Sequence, residues 1–231
     1  MSRPTVSTTG YLTLSAGRWR VAGLCLAVLF LVTADVLLGG LLSHLDAMVR
    51  SGVQSHTVRS PGWLSAVGQL GSPGFSVGVT AIVAIVVSQA SWRWWPLVLA
   101  AGAWSVSEAL VWLVKAAVSR PGPADQVPDP GYPGYYPSGH VASATVCGAI
   151  VCFLVLVGRR PGARAELERH ATTSLWTGAG LGLAASVYAV VGDFHWATDC
   201  VGGLAIGVLV ATIGVAFACR WLSAPARRLE P

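Results

Sequence analysis

Six unbroken apolar runs, each long enough to cross a bilayer as a helix, constrain this chain more than any other feature of its sequence. They fall at about residues 21–42, 71–90, 96–118, 140–157, 173–191 and 199–221, and none has the polar stripe of a helix half-exposed to water. Only 11% of the 231 residues are charged, against about 25% in a soluble domain. The expected fold class is therefore all-α, a polytopic bundle of six transmembrane helices. A cytoplasmic N-terminal segment (1–20) precedes one membrane domain (21–221), and a cytoplasmic tail (222–231) follows it. The first run exceeds a signal-peptide core and lacks a small-x-small cleavage site, so it is read as a retained span.

The net charge of +5 invites a nucleic-acid reading, which the distribution of charge excludes. Basic residues sit in short clusters between apolar runs, as membrane topology requires. Six spans place both termini on one side. That side collects Arg3, Arg18, Arg20, Arg93, Arg159, Arg160, Arg164, Arg169, Arg220, Arg227 and Arg228, whereas the other holds Arg50, Arg59, Lys115 and Arg120. The arginine-rich side is expected to be cytoplasmic, in a multi-pass protein of a bacterial cytoplasmic membrane. The odd set of five cysteines lies mostly inside apolar runs and reads as small buried hydrophobes, with no CxxC metal pair.

The connections carry further signals. Trp63, Leu64, Val67 and Leu70 suggest a short helix on the membrane surface, and the turn Ser91-Trp92-Arg93-Trp94-Trp95 places tryptophans at headgroup level. Residues 119–139 hold six prolines, so this loop is not helical, and its length points to function. It ends in Tyr132-Pro133-Gly134-Tyr135-Tyr136-Pro137-Ser138-Gly139-His140, a tight turn that opens the fourth run. Unpaired N–H groups and a positive dipole end at such a start suit a phosphate. Ser138 is a good N-cap type, Gly139 admits an anion to the backbone, and His140 moves a proton near neutral pH.

Taken singly, Ser138 is a cap, Lys115 a snorkelling side chain and each histidine an interfacial hydrogen-bonding group. The topology changes this, because Lys115, Ser138, Gly139, His140, His195 and Asp199 all fall at the same ends of the third to sixth spans. His195 and Asp199 are four apart, which sets a carboxylate beside an imidazole on a helical turn. Two histidines and a carboxylate suit phosphoryl transfer: one imidazole attacks phosphorus and the other protonates the departing oxygen. Lys115, the sole lysine, would neutralise the developing charge. Glu108 lies two helical turns from Lys115 on the same face, and Asp193 lies beside His195. Asp35 and Glu108 keep a transport reading open. Tyr132, Tyr135 and Tyr136 are expected either to line the entrance or to anchor the loop at the interface.

These residues resemble the membrane-bound type 2 phosphatidic acid phosphatases, relatives of the vanadium haloperoxidases, from Asp46 and the Leu70-Gly71-Ser72 region to the sixth run. The family pattern K-x6-R-P meets Lys115-Ala116-Ala117-Val118-Ser119-Arg120-Pro121-Gly122-Pro123, with Gly122 at the arginine position. P-S-G-H matches fully at Pro137 to His140. In S-R-x5-H-x3-D, His195 and Asp199 match, while Tyr188 and Ala189 stand at the serine and arginine. The resemblance implies His195 as nucleophile, Asp199 as its orienting partner and His140 as general acid. It implies Lys115, Ser138 and the Gly139 amide as phosphate ligands, the six-helix bundle, and no metal or other cofactor. Arg120 is the candidate to replace the missing arginine at 122, and Arg50 or Arg59 to supply a further cation. The expected activity is hydrolysis of a lipid phosphate or diphosphate, isoprenoid or glycerolipid, through a phosphohistidine at the extracytoplasmic face. The alternatives are transfer of a phosphate-linked headgroup or sugar from a polyprenyl carrier, and a non-catalytic lipid-phosphate binder or transporter.

Overall fold

The computed structural model of the chain describes residues 9–56, 66, 68–69, 71–123, 126–127, 130–158 and 163–223, with side chains from residue 17 onward. Among these residues run seven helices and no strand: α1 (Thr9–Leu38), α2 (Leu41–His56), α3 (Pro73–Ser91), α4 (Trp95–Val118), α5 (Gly139–Val157), α6 (Arg164–Val191) and α7 (Ala197–Ser223). All but α2 are long and apolar enough to cross a membrane. The all-α six-span bundle expected from the apolar runs is the architecture found.

Local chemistry sets the helix ends. Pro73 opens α3 and Pro96 lies in the first turn of α4, where a missing N–H costs nothing. Ser119 closes α4 in the left-handed region (φ 48°), its N–H returning to the Lys115 carbonyl at 2.8 Å. The first apolar run does not continue to residue 42. Gly39 turns left-handed (φ 60°), and the Asp35 carboxylate accepts the N–H groups of Leu42 and Ser43 at 3.2 and 3.0 Å. Asp35 thus caps α2 instead of standing as an unpaired charge inside a span. The surface helix expected around Trp63 to Leu70 lies mostly outside the described residues, as do Arg59 and the tail from 224 onward. α6 begins at Arg164, well before the apolar run at 173, because Leu167 and Ala171 already give its first turns a buried face.

The centre of the bundle is α5, which packs against α3, α4, α6 and α7. Its Val146, Ile150, Phe153 and Leu154 are almost wholly buried. In a bilayer, helices associate through close packing, which small residues permit. Gly178 of α6 lies so near α5 that a Cβ there would stand 2.5 Å from the Thr145 carbonyl oxygen. At one end of the bundle, Trp95 packs edge-on against Phe153, and Arg18 of α1 pairs with Glu168 of α6. At the other end, the last turns of α4 and α6 meet the first turns of α5 and α7. α2 lies against α6 and α7 there.

Candidate active site

His195 sits on the short turn between α6 and α7. Backbone N–H groups of Phe194 and His195 both return to the Ala189 carbonyl, at 2.9 and 3.2 Å, folding the turn back on α6. Four residues on, Asp199 lies in the first turn of α7, and its Oδ2 meets His195 Nδ1 at 3.1 Å. The same oxygen accepts the Trp196 N–H at 3.1 Å, which fixes the carboxylate as well as the ring. Asp199 is fully buried. This bond leaves Nε2 of His195 as the free ring nitrogen and steadies any positive charge that develops on the ring.

Ser138 is also fully buried and caps α5, its Oγ accepting the Val141 N–H at 3.5 Å. Its own N–H donates to the Asp199 carbonyl at 2.9 Å, stitching the start of α5 to the start of α7. Gly139 and His140 follow in the first turn. His140 lies within electrostatic reach of both His195 and Lys115, so the two imidazoles and the lysine share one local field.

Lys115, 2% exposed, ends its course under the Pro-rich loop. Nζ donates to the carbonyls of Gly134 and Tyr135 at 2.6 and 3.2 Å and lies 4.7 Å from the centre of the Tyr132 ring. Snorkelling to water is therefore not its role. Gly134 accepts this bond from a backbone at φ 141°, which other residues rarely adopt, and a Cβ there would press on Ser119 and Arg120.

The remaining candidates find other partners. Arg120 Nη1 donates to Asp199 Oδ1 and to the Thr198 hydroxyl, each at 2.7 Å, and Nη2 donates to Asp46 at 2.8 Å. Its guanidinium also faces the Trp196 ring at 5.3 Å. Asp193 accepts a two-pronged bond from Arg50, at 2.7 and 2.8 Å. Glu108 accepts from Ser143 of α5 at 3.5 Å. Tyr136 does not line an entrance: it is fully buried and its hydroxyl meets Thr33 of α1 at 2.8 Å. Burial pushes its phenol above the ordinary range. Tyr132 and Tyr135 do stand near the site, Tyr135 edge-on to His195 at 5.8 Å. Around Gly122 the Tyr135 ring is close enough that a Cβ would stand 3.0 Å from it, so Tyr135 crowds the ground an arginine at 122 would need. Ala189 is buried, with its carbonyl given to the His195 turn.

Two polar residues of this network, Asp46 and Thr198, fall within the stretch that carries the family resemblance, yet the sequence assigns neither of them a role at the site. Asp46 is 2% exposed and accepts from the Thr198 N–H (3.0 Å), from the Thr198 hydroxyl and from Arg120. The available signal was the inward face of α2, where Leu42, Asp46, Arg50 and Val53 recur at helical spacing, with two charged residues on a face otherwise expected to be apolar.

The sequence matches the PAP2 superfamily over residues 93–222, more than half of the chain. No curated protein matches it. Among solved structures, the fold is similar to the crystal structure of the first transmembrane PAP2 type phosphatidylglycerolphosphate phosphatase from Bacillus subtilis. The TM-score is 0.65 at 18% identity, over 82% of this chain and 94% of the other. With Lys115, Ser138, His140, His195 and Asp199 gathered at one end of six apolar helices, the chain is a multi-pass membrane protein that belongs to the PAP2 superfamily.

Proposed function

We propose that the protein is an integral membrane phosphatase that hydrolyses a lipid phosphate or diphosphate through a phosphohistidine. The observation that carries this reading is the His195–Asp199 bond, set within the field of His140 and Lys115 at one end of the bundle. Nε2 of His195 attacks phosphorus, a P–N bond forms, and the P–O bond to the lipid breaks. His140, protonated once the anionic substrate is bound beside it, gives its proton to the departing oxygen. It then takes a proton from the water that attacks the phosphohistidine, releasing phosphate and restoring His195. Lys115 and the amides at the start of α5 meet the charge on the phosphoryl oxygens. The excess of arginine at the opposite end supports an extracytoplasmic site with both termini inside. The lipid tail enters sideways between helices.

A second reading, transfer of a phosphate-linked headgroup, is favoured by one observation. The arginines of the family pattern at 122 and 189 are absent, and Arg120 and Arg50 are each already engaged by carboxylates. A site with so little uncommitted positive charge suits a singly charged phosphodiester better than a dianionic monoester.

The test is phosphate release by purified protein from phosphatidic acid, farnesyl diphosphate and undecaprenyl phosphate, beside His195→Ala. Release from at least one of them, with an acid-labile phospho-enzyme that the variant lacks, supports hydrolysis. Loss of lipid phosphate without free phosphate supports transfer. Substrate unchanged in every case refutes hydrolysis, and a phosphodiester donor left unchanged beside them refutes transfer.

A further inference from the structure

α2 lies outside the set of spans, yet it touches the reactive turn at both ends. Asp46 and Arg50 are four residues apart and share its inward face. Arg50 holds Asp193, two residues before His195, by two parallel bonds of 2.7 and 2.8 Å. Asp46 holds Thr198, three residues after His195, by its backbone N–H at 3.0 Å and by its hydroxyl. Asp46 also receives Arg120 Nη2, while Nη1 of the same guanidinium lies on Asp199 Oδ1. We infer that α2 is the positioning element of the site: Asp46 and Arg50 pin the turn from Asp193 to Thr198 on either side of His195, and so fix where Nε2 points.

Three features make this more than an incidental surface contact. Asp46 is 2% exposed, and a carboxylate is buried so deeply only when its lone pairs are filled, as the donors of Thr198 and Arg120 do here. Asp193 holds a left-handed backbone (φ 57°), uncommon outside glycine, and persists there with its side chain clamped by a fork-shaped partner. Among the described residues, the turn's backbone-to-backbone bonds return to the end of α6 and the start of α7, and the Thr198 N–H is held by α2 instead. A nucleophile displaced by about 1 Å loses on the order of a hundredfold in rate, so a helix that removes this freedom contributes to kcat without touching substrate. Arg120 then serves as the link between Asp46 and Asp199, acting on the carboxylate that orients His195.

This inference rests on the reading of His195 as nucleophile, and the experiment separates the two. Full-length protein in detergent is assayed with whichever of phosphatidic acid, farnesyl diphosphate and undecaprenyl phosphate it turns over fastest, and His195→Ala is run alongside. Activity in His195→Ala would overturn the nucleophile itself, and the positioning role with it. Against an inactive His195→Ala, Asp46→Asn and Arg50→Gln are each expected to lower kcat about 10- to 100-fold with KM within about twofold, and Asp46→Glu to recover part of the loss. The pair Arg50→Gln with Asp193→Asn is expected to be no slower than the slower single variant, because both act through one contact. A tenfold rise in KM with kcat kept would instead make α2 a substrate-binding element. Wild-type kcat in the single variants, or losses that multiply in the pair, would overturn the inference alone. Should Asp46→Asn lose its thermal transition, the Arg50–Asp193 cycle at the part-exposed rim decides the question.

Discussion

The helices α4 and α7 meet at both ends of the bundle, and the two meetings differ in kind. At the site end, α4 leads into Lys115 and Arg120, and Arg120 bonds directly to Asp199 and Thr198 in the first turn of α7. At the far end the same helices meet through apolar side chains, Trp95 beside Trp221 at 6.4 Å and Leu99 against Gly214, and they bear a groove of about 1110 Å³ lined by Trp94, Val98, Val106, Ile213 and Phe217. The physical reason lies in what each end must satisfy. Buried charged and polar groups have few arrangements in which every donor and acceptor is paired, so the site end is held in one geometry. Apolar surface in a bilayer gains little from closing on itself, because lipid tails are as good a neighbour as leucine, so the groove beside that contact can stay open. One pair of helices is thus joined by ion pairs and hydrogen bonds at one end and by apolar contact at the other.

Substitutions at the two ends sharpen that contrast. The largest effect is expected for Asp199→Asn, which loses its charge for His195 and leaves Arg120 with one carboxylate fewer. The kcat for lipid-phosphate hydrolysis should fall about 10³- to 10⁴-fold, and a loss under tenfold would remove Asp199 from the orienting role. Lys115→Met comes next: about 10²- to 10³-fold in kcat is expected from the lost cation, together with greater protease sensitivity of the loop it holds through Gly134 and Tyr135. Gly203→Ala tests the close approach of α7 to the start of α5, since its Cβ would overlap the Ser138 carbonyl. A destabilisation of about 1–3 kcal/mol, read from unfolding in detergent, should accompany a lower rate. The smallest effect belongs to the groove. Phe217→Ala, at a side chain 63% exposed, should leave stability within about 0.5 kcal/mol and kcat within twofold. A tenfold fall in kcat there would break the comparison, because the two ends would then be coupled.

Much of the site was legible because chemistry and topology are both written along the chain. Six apolar runs fix which ends share a side, and P-S-G-H and H-x3-D put the reactive types at those ends. The His195–Asp199 pairing follows from a spacing of four on a helical turn. Lys115 was legible as a buried cation, whereas its use, holding the carbonyls of Gly134 and Tyr135, depended on a loop whose path has no period to read. Arg120 was expected to reach toward phosphate and is found between Asp46 and Asp199, partners 74 and 79 residues away. Tyr136 shares with Tyr132 and Tyr135 the expectation of lining the entrance or anchoring the loop at the interface, and burial against Thr33 separates it from them.

By itself the sequence determined the all-helical spanning fold and the family, and it singled out the candidate groups for the chemistry. It does so because bilayer thickness turns hydropathy into helix length, and the side of each loop follows by counting crossings. Only the tertiary structure decided which charges meet. Ion pairs such as Arg120 with Asp46 and Arg50 with Asp193 join residues across the bundle, and their choice of partner depends on distances of a few ångströms that no local pattern encodes.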